Sequence, residues 1–241
     1  MRTWITLLLF PDLVPFLGSA FALLSPVPCM AEKAADIKQA LQIADAEAMK
    51  AAKTATPEKR RIGIPGTELA VKHESQGKPD CYEYGDYVIV TRATPQSVGE
   101  DMLVVKRKRG QEIGALCGIG ESQADLVVRN RDADWFFGLW KRFLFIDSGT
   151  GPGIRGLSIM DVEAHKRVYE ALYLDDDSIK LSSTGDLVFW IEDEPATAEN
   201  CTDFAQHQKD IMSSAIVAKV KLNLFTLRAE KRGERRCIPQ M

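Results

Sequence analysis

The sequence predicts a mainly β protein, an antiparallel sandwich or a barrel-like domain, with a helix near its N-terminal end. Short apolar runs of strand length recur from residue 81 onward and are separated by turn residues. The clearest run, residues 215–227, alternates apolar and polar side chains with the period of a half-buried strand. No repeat of propeller or solenoid length is visible in the 241 residues, so those architectures are not expected.

The beginning of the chain has the composition of an export signal. Arg2 gives a positive start, residues 4–10 are almost wholly apolar, and small residues suited to signal peptidase occur at 29–31. A membrane-spanning helix needs about 20 predominantly apolar residues, whereas Asp12 and two prolines interrupt this segment. We therefore expect a cleaved signal peptide at residues 1–31 and no membrane span afterwards. A retained anchor and a cytosolic N-terminus are the alternatives.

Cysteine usage agrees with export. Removing residues 1–31 leaves four of the five cysteines, namely Cys81, Cys117, Cys201 and Cys237. An even number in an exported chain predicts two disulfides, for which three pairings exist. We favour the sequence-local pairing of Cys81 with Cys117 and Cys201 with Cys237. The alternative is four free thiols in a cytosolic protein.

Residues 32–60 are expected to form a helical arm and a linker. Alanine, glutamate and lysine are abundant in residues 32–53, and the apolar side chains there recur three or four positions apart, the spacing of one helix face. Residues 61–241 then form the mainly β domain. Its expected strands are residues 87–91, 102–106, 126–129, 142–147, 186–191 and 215–227.

Two further segments have specific expectations. Residues 157–174 are expected to form a hairpin with its turn at residues 163–166. A helix after the G-x-G-x-x-G pattern of residues 151–156 is the alternative, but the second strand of a dinucleotide-binding unit has no room there. Residues 228–236, with five basic side chains, are expected to be a mobile tail.

Charge and aromatic content suggest where a partner would bind. The formal net charge of −3 gives no general reason to expect nucleic acid. A basic turn follows one expected strand, and an aromatic run begins at Trp135 and ends at Trp140. The residues of the basic turn are Lys106, Arg107, Lys108 and Arg109. We identify this turn and the two tryptophans as candidate ligand or partner surface. The alternatives, which we favour, are a solvated basic turn and an aromatic run that packs in the core with one exposed ring.

One stretch has the pattern of a catalytic loop. In residues 144–150, apolar side chains are followed by Asp147, Ser148, Gly149 and Thr150. This stretch resembles the catalytic loop of the aspartic peptidases, which implies a hydrolase that uses Asp147. Such enzymes need two carboxylates sharing a proton, and the chain has no second motif of this kind, so the dyad would require a homodimer. The alternative, which we favour, is a turn capped by its own aspartate.

The sequence therefore predicts an exported, disulfide-stabilised protein of the cell envelope, periplasmic or secreted. We expect it to be a binding or structural module rather than an enzyme, with an envelope component or protein as its partner. The hydrolase reading of Asp147 is the alternative. No cofactor or metal is expected, because the cysteines are far apart and the three histidines are scattered.

Overall fold

The computed structural model describes residues 58–60, 62–73, 79–95, 97–131, 133–175, 178–210 and 212–240. The expected signal peptide and the expected helix of residues 32–53 lie outside these residues. Strands dominate the described chain and form two antiparallel sheets. The prediction of a mainly β, antiparallel fold is therefore confirmed.

The first sheet is a meander in which six strands pair in chain order. They are β1 (Glu58–Arg60), β2 (Ala70–His73), β3 (Asp80–Glu83), β4 (Tyr87–Ala93), β5 (Glu100–Lys106) and β6 (Leu126–Val128). Strand β1 pairs with β2 and so belongs to the sheet, although it falls within the segment expected to be a linker.

The second sheet has eight strands, in the order β14-β13-β12-β10-β9-β8-β7, with β11 paired to β12. They are β7 (Asp134–Trp140), β8 (Phe143–Ser148), β9 (Gly153–Asp161), β10 (Lys166–Asp175), β11 (Lys180–Leu181), β12 (Asp186–Pro195), β13 (Ser213–Asn223) and β14 (Arg228–Gln240). The expected hairpin of residues 157–174 is present as β9 and β10.

Two short α-helices, α1 (Ile113–Cys117) and α2 (Phe204–Lys209), and a one-turn 3-10 helix at Glu121–Gln123 complete the described elements. Neither they nor any other helix in the described ranges is long and apolar enough to cross a membrane.

The expectation of a mobile tail at residues 228–236 is wrong. These residues belong to β14, which pairs with β13 from Arg228 to Gln240. Apart from Ile238, Cys237 and Gln240, the side chains of β14 are exposed. Because both faces of most of this strand meet water, its sequence lacks the alternation that identifies a half-buried strand.

Apolar clusters lie on both faces of the second sheet. One cluster fills the space between the two sheets, where Ile89 and Met102 of the first sheet meet Leu144 and Ile146 of the second. The other face of β8 carries Phe143 and Phe145 into a cluster with residues of β9, β10, β12 and β13. The fold thus combines sheet-on-sheet packing with a second apolar layer.

The second sheet curls around this second layer. Phe225, in the turn between β13 and β14, contacts the rings of Trp140 and Phe143 at centroid distances of 5.6 and 6.2 Å. These residues belong to opposite ends of the strand order, so the ends of the sheet approach one another. The side chain of Ile64, from the loop before β2, is fully buried in the same cluster.

Glu100 joins the two sheets and makes stability depend on pH. Its carboxylate accepts a hydrogen bond from the backbone N–H of Phe136 in β7 at 2.7 Å. Burial raises the pKa of the Glu100 carboxyl above its ordinary value of 4.5. Because the folded state then binds more protons than the unfolded state, stability should rise as pH falls from the raised value towards 4.5.

We expect the substitution Glu100→Gln to remove this rise, because the amide oxygen can still accept from Phe136 but cannot titrate. Urea unfolding at about pH 5 and about pH 7 measures the difference in the free energy of unfolding. The control Glu230→Gln, at an exposed position of β14, should keep the wild-type pH dependence. An unchanged slope in Glu100→Gln would contradict the prediction.

Candidate functional site

Asp147 lies in a buried ion pair. Its two oxygens accept hydrogen bonds from the guanidinium of Arg155 in β9, with Nε to Oδ1 at 2.8 Å. The hydroxyl of Tyr173 in β10 also donates to Oδ1, at 3.0 Å. The residue is 8% exposed. Asp147 is thus bonded across neighbouring strands and not, as the turn interpretation expected, to its own turn.

This network changes the titration of its partners. Burial, followed by the charge of Asp147, raises the pKa of Tyr173 above its ordinary value. The hydrogen bonds that Arg155 donates to Asp147 raise the pKa of the Arg155 guanidinium. Both side chains therefore stay protonated and keep donating hydrogen bonds to Asp147. The network connects β8, β9 and β10.

A polar groove of about 360 Å³ lies on the opposite face of the second sheet from this network, because Ser148 and Gly156 alternate with Asp147 and Arg155 along β8 and β9. Register pairs place Asp134, Ser148, Gly156 and Leu172 in one row across β7, β8, β9 and β10. Ser148 donates to the buried carboxylate of Asp134. Gly156 has no side chain, so the row is open at its centre between Ser148 and the 54% exposed Leu172.

The next row supplies charge to the polar groove. Arg167 donates from Nη1 to Ser158 Oγ and to Glu170 Oε1, each at 2.8 Å. Arg131 reaches the same carboxylate oxygen at 3.4 Å. The Arg167 guanidinium holds the pKa of Glu170 below its ordinary value, so this carboxylate stays charged.

A second groove, which we call the seam, separates β10 from β12. Strand β10 pairs with β9, and β12 pairs with β13, over almost their full lengths. Between β10 and β12 themselves, the described chain has a single register pair, Tyr173 with Ile191. Before Tyr173 the two strands leave a groove of about 400 Å³, lined by Ala171, Leu172 and residues 191–195. Because both grooves include Ala171 and Leu172, they meet along β10.

Carboxylates dominate the β12 side of the seam. Asp193 is bridged by Lys231 and Arg235 of β14, and Glu194 also accepts from Arg235. In the described residues, no cation pairs with Glu192. The β12 side therefore keeps one uncompensated negative charge at the opening.

The aromatic part of the predicted surface is divided between exterior and interior. Trp135, at the start of β7, is 38% exposed and donates from its indole nitrogen to the carbonyl of Gly149 at 3.1 Å. Trp140, at the end of β7, is only 6% exposed and lies in the core. Trp140 is thus a packing residue, which corrects its assignment to a surface.

The basic turn lies near the Trp140 end of β7. Lys106 pairs with Glu163 at 3.5 Å, and Arg142, two residues after Trp140, reaches the same carboxylate at 3.7 Å. Arg107 pairs with Glu83. Lys108 and Arg109 are exposed. Since Trp135 lies at the opposite end of β7, roughly 17 Å away at about 3.3 Å per residue, the predicted residues do not form one surface.

The disulfides have the pairing that the sequence favours. Cys81 is bonded to Cys117 and Cys201 to Cys237, with Cα–Cα distances of 5.5 and 5.4 Å. His207 lies beside the second bridge, and its ligand atom and the two sulfurs are all within 4.8 Å of one another. A metal would need the sulfurs as thiolates, so the bonded pair does not serve as a metal centre.

Comparison with known proteins adds no family. No protein-family model, no curated protein and no solved structure matches this chain.

Sequence reasoning missed both grooves. The strands that line them were expected, but the separation of β10 from β12 depends on how the second sheet curls. One signal was available: the acidic residues Glu192, Asp193 and Glu194 precede Pro195 at the end of an expected strand, a composition typical of a strand edge that lacks a partner.

Proposed function

We propose that the protein is an exported binding module of the cell envelope, periplasmic or secreted. In this proposal the chain holds a ligand or partner in the two grooves along β10 and catalyses no reaction. The two disulfides support an oxidising compartment, in agreement with the export signal that the sequence predicts.

The main support for a binding function is the pair of adjoining grooves. They combine an exposed leucine with charged groups from two strands, the mixture of apolar area and oriented polar groups that is typical of binding sites. Leu172 is 54% exposed at the point where the grooves meet. The pairing of Asp147 with Arg155 favours binding over hydrolysis, because a carboxylate held by a guanidinium is a poor proton carrier.

Photo-crosslinking in the protein's own cells tests this function. A photoreactive phenylalanine analogue at position 172 should give a discrete crosslinked product from the envelope fraction. The same analogue at Arg232, exposed on β14, is the matched control and should give none. Equal labelling at both positions, or none at position 172, would contradict a ligand site in the grooves.

The uncrosslinked protein from the same preparation tests export. After alkylation without reduction, its intact mass should correspond to a chain without the signal peptide and without alkylated cysteines. Reduction before alkylation should then label all four remaining cysteines. A full-length chain that is alkylated without reduction would place the protein in a reducing compartment and remove the basis for export.

A further inference from the structure

The seam interrupts an otherwise continuous sheet. On one side of the Tyr173–Ile191 pair, β11 fills the space beside β12 through Lys180 and Leu181. On the other side no described strand does so, although β10 and β12 both remain extended and paired on their outer edges. Two backbone edges therefore face each other across a groove of about 400 Å³.

Such edges favour a further strand. Backbone N–H and C=O groups that lack a protein partner must be hydrogen-bonded to water or to a ligand. An extended peptide satisfies them efficiently because its own N–H groups point alternately to its two edges. From the structure we infer that the seam binds an extended segment of a partner protein, as an inserted strand between β10 and β12. This inference rests on the proposed function, since it names the partner of the same site.

The two faces of the seam predict which side chains the bound segment, which we call the guest, presents to each face. Ala171 pairs with Leu157 of the second apolar cluster, and Ile191 packs against that cluster, so this face is apolar. On the opposite face lie Glu170 and Leu172 of β10, paired with Ser158 and Gly156. A guest strand would therefore present apolar residues to the first face.

Charge complementarity predicts the guest side chains on the second face of the seam. Glu192 directly follows Ile191 and so lies on the opposite face, the face of Leu172. Glu170 is already paired with Arg167 and Arg131, so Glu192 supplies the uncompensated negative charge there. A basic side chain of the guest would lie beside Glu192, with its aliphatic stem over Leu172. The occupant is thus an extended segment with alternating apolar and basic residues.

Fluorescence anisotropy with a labelled heptapeptide of alternating valine and lysine tests this inference. Residues 191–195 of β12 line the seam, and a heptapeptide covers these five positions with one residue beyond each end. The protein is the chain recovered from cells with both disulfides intact. We expect saturable binding, and binding at least about tenfold weaker for a peptide of alternating valine and glutamate.

N-methylation of the peptide separates insertion from addition to a single edge such as β14. One peptide is methylated on the backbone nitrogens of its odd residues and another on those of its even residues, so each loses the donors of one edge. Insertion between two strands uses both edges, and each peptide should bind at least about tenfold more weakly. Loss with only one of them, or with neither, would overturn insertion into the seam.

A protein variant locates the site. The charge reversal Glu192→Lys should weaken binding of the lysine peptide about fivefold. The matched control Glu230→Lys, at an exposed glutamate of β14, should bind as the wild type does. Equal effects of the two variants would overturn the assignment to the seam.

Absence of binding up to about 1 mM peptide would overturn this inference alone. The proposed function would then still be decided by crosslinking at position 172, so the two failures are distinguishable.

Discussion

Replacement of both Cys81 and Cys117 by alanine is expected to lower the free energy of unfolding by about 4 kcal/mol. The bridge joins residues 36 positions apart and so restricts the unfolded chain. It also fixes α1, whose five residues have no side-chain cap at the N-terminus and are too few for an independent helix. Since domains of this size have only about 5–15 kcal/mol of stability, the loss should be easily measured.

This variant should also uncover one face of the first sheet. Leu116 of α1 and Ile119 pack on Val88, Val90 and Leu103 in a separate apolar cluster beside the bridge. Without the disulfide we expect α1 to open locally, which would expose these side chains while the two sheets stay paired.

Urea unfolding and amide hydrogen exchange test these expectations. The matched control is Cys201→Ala with Cys237→Ala, because that bridge also joins residues 36 apart. It should lose a similar free energy through the unfolded chain but keep slow exchange at residues 113–119. Unchanged exchange there in the Cys81 and Cys117 variant would contradict a role of the bridge in holding α1.

Asp147→Asn is expected to lower the free energy of unfolding by about 3 kcal/mol. The asparagine cannot neutralise Arg155, whose side chain is only 12% exposed, and it offers Tyr173 a weaker acceptor. Breaking one side of a buried ion pair leaves the other charge desolvated without compensation. The variant should therefore unfold at a lower urea concentration.

The control for this prediction is Asp175→Asn. Asp175 lies 3.8 Å from the same guanidinium but is 44% exposed, so its loss should cost less than about 1 kcal/mol. If Asp147→Asn had wild-type stability, the ion pair would not support the fold, and the hydrolase interpretation of Asp147 would regain its basis.

Much of the candidate site was visible only as separate pieces of sequence. Asp147 and Arg155 are close in the chain, but nothing in their spacing predicts that Tyr173 completes the network from a third strand. Leu172 was expected in a strand, and its exposure follows from Gly156 opposite and from the departure of β12. The predicted surface failed at Trp140 because an aromatic residue at the end of a strand can point to either face, and here the second sheet curls over it.

The sequence by itself determined the class of fold and most of the strands of residues 81–227, and among three possible pairings of the cysteines it favoured the observed one. Each of these follows from local properties: the alternation of side chains records burial of a strand, and short loops favour sequence-local bridges. Only the tertiary structure decided that β14 is an edge strand, that Phe225 covers Trp140, and that β10 and β12 separate before Tyr173. The physical reason is that edges and openings depend on how strands distant in the chain meet when a sheet curls, and a single strand's sequence does not record its neighbours' positions.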